Sequence, residues 1–323
     1  MIICKMCDSC DCKYLGDLQP YQDMDWTFPI FSCLNCGSRF TLRNPIIKYY
    51  EMLHSTIGSS YGYHYDMAVK VDQFIRGGRI DKCESYLRKA SYKYREVIDF
   101  IKQKGKPLSI LEIGCSTGFM TAFLKANGHE VEGVDISERA IRYATARFGS
   151  FYSFEPTHEN YDLIFHLGLI GCVDDPKRFL SQYFQFLRPG SEMIFNAPNV
   201  SSPEQLNELW VSTPPPDLIY LFSEKSFQNL GGGEYNVDIK RVYTGSEVVY
   251  KNIVAMFKRR YTEFPQSFSN YRLKSDQRGT RFLVNFFQTK FRSMSGILFH
   301  LPIVKRYDNE YGLIVRMSRK GNG

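Results

Sequence analysis

The stretch SILEIGCSTG at residues 109–118 constrains the fold of this chain most, because it joins an apolar strand to a glycine-bent turn and a helix. Gly114 and Gly118 can adopt positive φ and let a ligand approach the backbone closely. Residues 119–126 continue with apolar side chains at helical spacing. Seventeen residues beyond Gly118, a second apolar run ends at Asp135, whose carboxylate could accept both ribose hydroxyls of a nucleoside. The spacing predicts a doubly wound α/β domain with a nucleoside site at this turn.

Several segments in chain order match the motifs of one family. The turn has Gly-x-x-x-Gly spacing, whereas dinucleotide-binding folds have Gly-x-Gly-x-x-Gly. It resembles the first motif of the class I S-adenosylmethionine-dependent methyltransferases, and residues 133–137 (GVDIS) resemble the second. Residues 161–165 (YDLIF) resemble the family's fourth strand, residues 187–190 the turn before strand five, and residues 193–199 strand five itself.

The resemblance implies an α/β fold with a Rossmann-like sheet of seven strands, in which the last strand, 312–317, lies antiparallel between strands five and six. It also implies S-adenosylmethionine as the cofactor. The implied cofactor-binding residues are Tyr61, Tyr65, Glu112, Gly114, Cys115, Ser116, Thr117, Gly118, Asp135, Ile136, His166 and Leu167. Glu112 would hold the methionine amino group or orient the turn, and Asp135 would bind the ribose diol. The tyrosine-rich segment 61–65 would close over the methionine end of the cofactor, or simply pack as a helix.

The N-terminal cysteines predict a metal site. Six of the nine cysteines lie in the first 36 residues, and all but Cys12 fall in Cys-x-x-Cys pairs. Each pair places two thiolates on one tight knuckle, and four thiolates complete the tetrahedral shell of a structural zinc ion. In a reducing compartment this pattern indicates metal binding and not disulfides. The predicted ligands are Cys4, Cys7, Cys33 and Cys36. Cys10 and Cys12 complicate the choice, since Cys7 and Cys10 also form a Cys-x-x-Cys pair, and a set of free thiols is the remaining alternative.

The sequence divides into three predicted segments: a Cys4 zinc-ribbon module or knuckle at 1–45, a helical lid and linker at 46–106, and a methyltransferase core at 107–323. The core carries a basic, aromatic insertion at 245–305. Within it, residues 281–292 place apolar side chains on one helical face and cations on the other. Packing against the core is one use of this helix; a substrate cover, or a peripheral membrane contact through 278–305, is another.

Composition and charge limit the class of protein, its compartment and its partners. The 323 residues are 43% hydrophobic and 15% aromatic, which supplies a sizeable core. No run of about 18 apolar residues occurs and the N-terminus lacks the apolar core of a signal peptide, so we expect a cytoplasmic protein. From Lys240 onward there are 17 basic and 5 acidic residues, against a net charge of +7 for the whole chain. This basic quarter suits a phosphate-bearing partner, a nucleic acid or an anionic membrane surface, or is a merely solvated face.

His166 is the candidate catalytic residue. It ends the predicted fourth strand, at the carboxyl edge where open α/β sheets bind ligands. An ordinary histidine pKa suits proton removal from an acceptor hydroxyl. The alternative is a histidine that only lines the cofactor pocket. Asp217 and Tyr220 are second candidates, because their segment resembles the one that follows strand five in relatives acting on sugars.

The sequence therefore predicts a methyltransferase with a small-molecule acceptor, a hydroxyl of a sugar, nucleotide sugar or glycan. An RNA (ribosomal) methyltransferase is one alternative, favoured by the zinc knuckle and the basic C-terminal quarter. Against it, residues 196–199 (NAPN) lack the aromatic residue of the Asn-Pro-Pro-Tyr signature for base methylation. The second alternative is a non-catalytic scaffold, since this chain has Gly171 and Cys172 where the family often has Glu-His. The sequence predicts no oligomeric state.

Overall fold

The computed structural model describes residues 2–19, 27–42, 62–200, 210, 215–228, 230, 235–243 and 310–320. The strands in these ranges are β1 (Cys12–Leu18), β2 (Phe28–Cys33), β3 (Arg39–Thr41), β4 (Ser109–Ile113), β5 (Glu130–Val134), β6 (Tyr152–Ser153), β7 (Tyr161–His166), β8 (Leu187–Pro198), β9 (Tyr220–Leu221), β10 (Tyr235–Tyr243) and β11 (Glu310–Arg319). The helices are α1 (Gly62–Arg76), α2 (Ile80–Ala90), α3 (Tyr92–Lys104), α4 (Phe119–Ala126), α5 (Glu138–Phe148), α6 (Pro176–Phe184) and α7 (Glu224–Gln228).

The central sheet has seven strands in the order β10-β11-β8-β7-β4-β5-β6. Strands β4 to β8 pair in parallel, whereas β11 is antiparallel to both β8 and β10. The structure thus confirms the predicted seven-stranded sheet with its last strand inserted antiparallel between strands five and six.

Both faces of the sheet are covered by helices. Successive side chains of a strand point to opposite faces, so the fully buried Ile110 and Leu111 belong to different cores. Ile110 packs in the core that contains residues of α1, α2, α3 and α4, and Leu111 in the core that contains residues of α6 and α7. This two-sided burial leaves the carboxyl ends of β4, β5 and β7 at one edge, where such sheets bind ligands.

Local sequence signals predicted several element boundaries. The helix expected at 119–126 coincides with α4, and Ser137 begins α5 as predicted, with its Oγ accepting a hydrogen bond from the Ala140 amide at 3.2 Å. The turn expected at 187–190 is instead part of β8. Leu187 pairs with Tyr161, and Glu192 pairs with Leu163, so the expected turn corresponds to a register shift within the β7–β8 pairing.

The cysteine-rich N-terminal segment forms a second sheet, in the order β1-β2-β3-β9. Its fourth strand comes from the core, so the two parts are joined by backbone hydrogen bonds. The segment 43–61, with Tyr61, and the insertion 245–305, with its possible membrane contact at 278–305, lie outside the described residues. Within the described ranges, no helix is long and apolar enough to cross a membrane.

Candidate cofactor site and cysteine cluster

The glycine turn after β4 has the backbone conformation that its sequence predicts. Gly114 and Gly118 have φ of 71° and 74°, and the amides of Gly114 and Cys115 both donate to the carbonyl of Val134, at 2.7 and 3.0 Å. A Cβ on Gly118 would lie 2.6 Å from the ring of Tyr152, whose hydroxyl donates to the Gly118 carbonyl at 2.7 Å. A side chain at position 118 would therefore displace the turn or the tyrosine.

Asp135 fastens this turn to the next helix. Its Oδ2 accepts from the Ser116 amide at 2.8 Å, and its Oδ1 accepts from the Ser137 amide at 2.9 Å. The carboxylate is half-buried, and a carboxylate oxygen can accept more than one hydrogen bond. Beside it, the side chain of Ile136 is 61% exposed and offers apolar surface to a flat ring. The pair suits a ribose diol and its base.

Glu112 braces the turn from inside the sheet. Its carboxyl is buried, and the hydroxyl of Thr121 on α4 donates to Oε2. Burial raises the pKa of Glu112 to about 8; the hydrogen bonds to Thr121 oppose the rise and the charge of Asp135 adds to it. At neutral pH the carboxyl group is therefore mainly protonated. Its hydrogen bond with Thr121 connects β4 to α4.

Stability should report the protonation of Glu112. Because its pKa rises from 4.5 to about 8 on folding, the unfolded chain releases this proton first, and stability falls as pH rises through that window. The Glu112→Gln variant should lose this slope, so its stability relative to wild type should rise by up to about 1.4 kcal/mol per pH unit. Urea unfolding between pH 5 and 8 measures the difference. The exposed Glu130→Gln is the matched control, and parallel curves for wild type and Glu112→Gln would contradict the assignment.

The first turn of α1 rests on the glycine turn. The hydroxyl of Thr117 donates to the carbonyl of His64 at 2.9 Å. The ring of Tyr65 meets the ring of Tyr143 edge-on, with centroids 4.7 Å apart. The helix predicted to cover the cofactor therefore contacts the turn through its backbone, while Tyr65 packs against α5 and Tyr61 lies outside the described residues.

Glu132 is a buried carboxylate that sequence reasoning did not single out. It accepts hydrogen bonds from the hydroxyl of Tyr161 at 2.5 Å and from the amide of Thr157 at 3.0 and 3.1 Å. It thereby holds the loop that follows β6. Because the Asp135 amide donates to the Ser153 carbonyl at 3.2 Å, this loop borders the predicted ribose site.

His166 lies at the carboxyl end of β7, and its side chain is fully buried. Its ring stacks on Phe195, with centroids 4.7 Å apart, and meets Phe179 edge-on at 5.3 Å. Burial lowers the pKa of His166 to about 3, so the imidazole is neutral at physiological pH. The sequence predicts an ordinary histidine pKa near neutrality, and the structure differs. Among the described residues, neither ring nitrogen has a hydrogen-bond partner. Leu167, the next predicted contact, is half-buried.

The two second candidates occupy different environments. Tyr220 is buried in β9, where its ring stacks between Phe40 and Phe222 at centroid distances of 5.4 and 5.6 Å. It thus helps to join the cysteine-rich sheet to the core. Asp217 is half-buried in the segment before β9.

The four predicted metal ligands converge. The Sγ atoms of Cys4, Cys7, Cys33 and Cys36 all lie within 4.8 Å of one another. The Cys4 and Cys36 sulfurs are 3.7 Å apart, and those of Cys7 and Cys33 are 3.5 Å apart. A tetrahedral zinc ion with bonds of about 2.3 Å needs sulfurs about 3.8 Å apart, so the donor set and its spacing fit zinc.

Cys10 and Cys12 are not members of this cluster. Cys10 is exposed, and the half-buried Cys12 thiol donates to the carbonyl of Ser9 at 3.6 Å. The choice of Cys4 with Cys7 as the first pair agrees with this geometry.

Serines from the core lie directly behind the cluster. The hydroxyl of Ser223 donates to the carbonyl of Cys36. The hydroxyls of Ser38 and Ser226, both buried, are hydrogen-bonded at 2.7 Å. The cysteine cluster is therefore hydrogen-bonded, through the backbone of Cys36, to the segment that begins α7.

The strand order, the glycine turn and the carboxylate after β5 together define a nucleoside-binding α/β domain. Residues 86–234 match a family described as a methyltransferase domain. This match covers just under half of the chain and supports a class I S-adenosylmethionine-dependent methyltransferase domain over these residues.

Individual relatives are distant. A malonyl-[acyl-carrier protein] O-methyltransferase of Hahella chejuensis is 26% identical over 121 residues, which are 34% of this chain and 43% of that protein. A ubiquinone biosynthesis O-methyltransferase of Aromatoleum aromaticum is 26% identical over 102 residues, which are 28% of this chain and 44% of that protein. A plantazolicin methyltransferase solved with S-adenosylhomocysteine is 17% identical, with a TM-score of 0.40 over 85% of this chain and 97% of that one. The chain thus spans less than half the length of these two curated relatives.

Proposed function

We propose that this chain transfers a methyl group from S-adenosylmethionine to an oxygen of a small-molecule acceptor. The observation that carries the proposal is the joint geometry of the glycine turn and Asp135, which leaves a half-buried carboxylate and an exposed Ile136 at the carboxyl edge of the sheet. The two curated relatives are O-methyltransferases by name, which supports oxygen as the acceptor atom. Within this class, we propose a hydroxyl of a sugar, nucleotide sugar or glycan.

The chemistry asks for alignment and for one proton acceptor. Bound S-adenosylmethionine supplies an electrophilic methyl group, so the chain has to orient the acceptor and receive a proton from its hydroxyl. Asp135 would accept the ribose hydroxyls, and Glu112 would fix the turn beneath the methionyl part. His166 would receive this proton, a role that requires the bound acceptor to contact the ring, because burial alone lowers the pKa of His166 to about 3 and leaves it a weak base. Tyr61 and Tyr65 would line the lid formed within 46–106.

We also propose that the segment 1–45 binds one structural zinc ion through its four clustered cysteines. A shell of four thiolates leaves no open coordination position for a substrate. The metal would therefore act through the fold and not in the reaction.

A direct binding experiment tests the enzymatic proposal. Calorimetry of the metal-loaded protein with S-adenosylhomocysteine should show one site, and transfer from labelled S-adenosylmethionine should occur to at least one member of a panel of sugars and nucleotide sugars. Binding without transfer to any hydroxyl, but with transfer to RNA or to an amine, would replace the acceptor class. Absence of binding would contradict methyl transfer itself.

Replacing Asp135 should weaken cofactor binding without unfolding the chain. The Asp135→Ala variant should bind S-adenosylhomocysteine at least tenfold more weakly, because hydrogen bonds to a charged group contribute roughly 1.5–3 kcal/mol and about 1.4 kcal/mol is a factor of ten. Calorimetry measures the affinity. Glu138→Ala, three residues along and on the exposed face of α5, is the matched control and should bind normally. Unchanged affinity in Asp135→Ala would place the ribose elsewhere.

A further inference from the structure

Lys93 brings a cation to the loop that follows β7. It lies in the first turn of α3, and a Cβ built on Gly168 would be 3.6 Å from its Nζ. The side chain is mostly covered by protein. The ammonium also interacts electrostatically with the thiol of Cys172, whose Sγ donates to the Gly168 carbonyl at 3.6 Å. The end of this long side chain therefore lies beside Gly168.

This ammonium interacts electrostatically with Cys172 but has no carboxylate partner among the described residues. Burial lowers the pKa of Lys93, and the interaction with Cys172 opposes this shift only in part. Other partly buried cations in the same ranges are paired, as Arg147 is with Asp72 at 2.9 Å and Arg88 is with Asp99 at 2.5 Å. Keeping a covered charge without a partner costs free energy, so a group that neutralises it on binding would gain from the contact.

The position of Lys93 links it to the proposed reaction centre. The next residue of the loop, Leu169, approaches within 3.2 Å of where a Cβ of Gly114 would lie, so the loop borders the glycine turn. On its other side, the Gly168 amide donates to Asn196 Oδ1 at 2.6 Å, at the carboxyl end of β8. The ammonium thus lies next to a loop that joins the cofactor turn to the neighbouring strand.

We infer that Lys93 binds an anionic group, a carboxylate or phosphate, of a ligand held at this loop. The inference rests on the proposed function, because it assumes that the loop meets the cofactor and the acceptor. An ammonium is a compact charge with three donors and suits either anion. Two ligands could supply it: the methionine carboxylate of the cofactor, or an anionic group of the acceptor.

The Lys93→Met variant separates these sources. Methionine keeps the unbranched apolar stem and removes only the charge. Calorimetry should compare wild type and variant with S-adenosylhomocysteine, with 5′-methylthioadenosine, which lacks the amino-acid carboxylate, and with inorganic phosphate or acetate added to the S-adenosylhomocysteine complex. Lys82→Met, on the exposed face of α2, is the matched control.

If Lys93 holds the cofactor carboxylate, the variant should bind S-adenosylhomocysteine at least tenfold more weakly and 5′-methylthioadenosine as well as wild type does. If it holds an acceptor anion, cofactor affinity should be unchanged, and the phosphate or acetate binding that wild type shows should be lost. Equal affinities of wild type and variant for every probe would overturn the inference. Failure of wild type itself to bind S-adenosylhomocysteine would contradict the proposed function instead.

Discussion

Replacing Cys33 by serine should remove the metal and destabilise the whole chain. Metal analysis should fall from about one equivalent of zinc to near zero, because three thiolates and a hydroxyl bind zinc far more weakly than four thiolates. Structural zinc contributes roughly 10–16 kcal/mol of apparent binding free energy in small domains. With a melting entropy of about 2.1 cal/mol/K per residue, loss of even about 4 kcal/mol of that should lower the melting temperature of this 323-residue chain by roughly 6 °C.

The destabilisation should reach the cofactor site because the two sheets share backbone hydrogen bonds. The Thr41 amide donates to the Ile219 carbonyl at 3.1 Å, and the amides of Ile219 and Tyr220 both donate to the Gly171 carbonyl, at 2.7 and 3.0 Å. Gly171 belongs to the loop after β7 that also contains Leu169, which packs against the glycine turn. A disordered cysteine cluster would free one side of this loop. We therefore expect weaker binding of S-adenosylhomocysteine as well as a lower melting temperature.

Cys10→Ser is the matched control for this result. Its thiol is exposed and outside the cluster, so the variant should keep the full zinc content and the wild-type melting temperature. A Cys33→Ser protein that retains one equivalent of zinc and normal stability would refute the four-cysteine site. A protein that loses zinc but keeps its cofactor affinity would refute only the proposed link between the two sheets.

Signals that are local in sequence predicted the first strand, the glycine turn and the helix after it, whereas the strand order was implied by the family resemblance. The strand at 109–113 and the helix at 119–126 follow from apolar periodicity and two glycines, all within a few residues of one another. The cysteine site was equally local, since each pair defines its own knuckle. Features that depend on contacts between distant segments were not predicted. β9 is two residues long, and its pairing with β3 has no local pattern.

Burial explains the remaining differences between prediction and structure. The sequence placed His166 at the end of a parallel strand but could not show that Phe195 and Phe179 enclose its ring, which is what lowers its pKa. Lys93 gave no signal either, because a lysine in the first turn of an amphipathic helix is ordinarily solvated. Only the packing of α3 over the loop after β7 makes it distinctive.

Replacing His166 should separate catalysis from stability. The His166→Phe variant fills a space already lined by Phe195 and Phe179 and removes two buried nitrogens without described partners, each of which costs roughly 1–3 kcal/mol when unsatisfied. Its melting temperature should therefore be no lower than that of wild type. If His166 receives the acceptor proton, the methyl-transfer rate should fall by roughly 10²–10⁴ while affinity for S-adenosylhomocysteine stays within a few-fold. His166→Asn should show the same loss of rate.

The pH dependence of stability gives a second readout for His166. Folding lowers its pKa from 6.5 to about 3, so the unfolded chain binds a proton first as pH falls, and wild type loses stability through that window. The stability of His166→Phe relative to wild type should therefore increase by up to about 1.4 kcal/mol for each pH unit below pH 6.5. His129→Gln is the control for rate, because its Nδ1 accepts from the Leu108 amide at 3.2 Å, near the opposite edge of the sheet. If His166→Phe has a normal transfer rate and the expected gain in stability at acid pH, His166 is a buried structural residue. The proton acceptor would then have to be sought at Asp217.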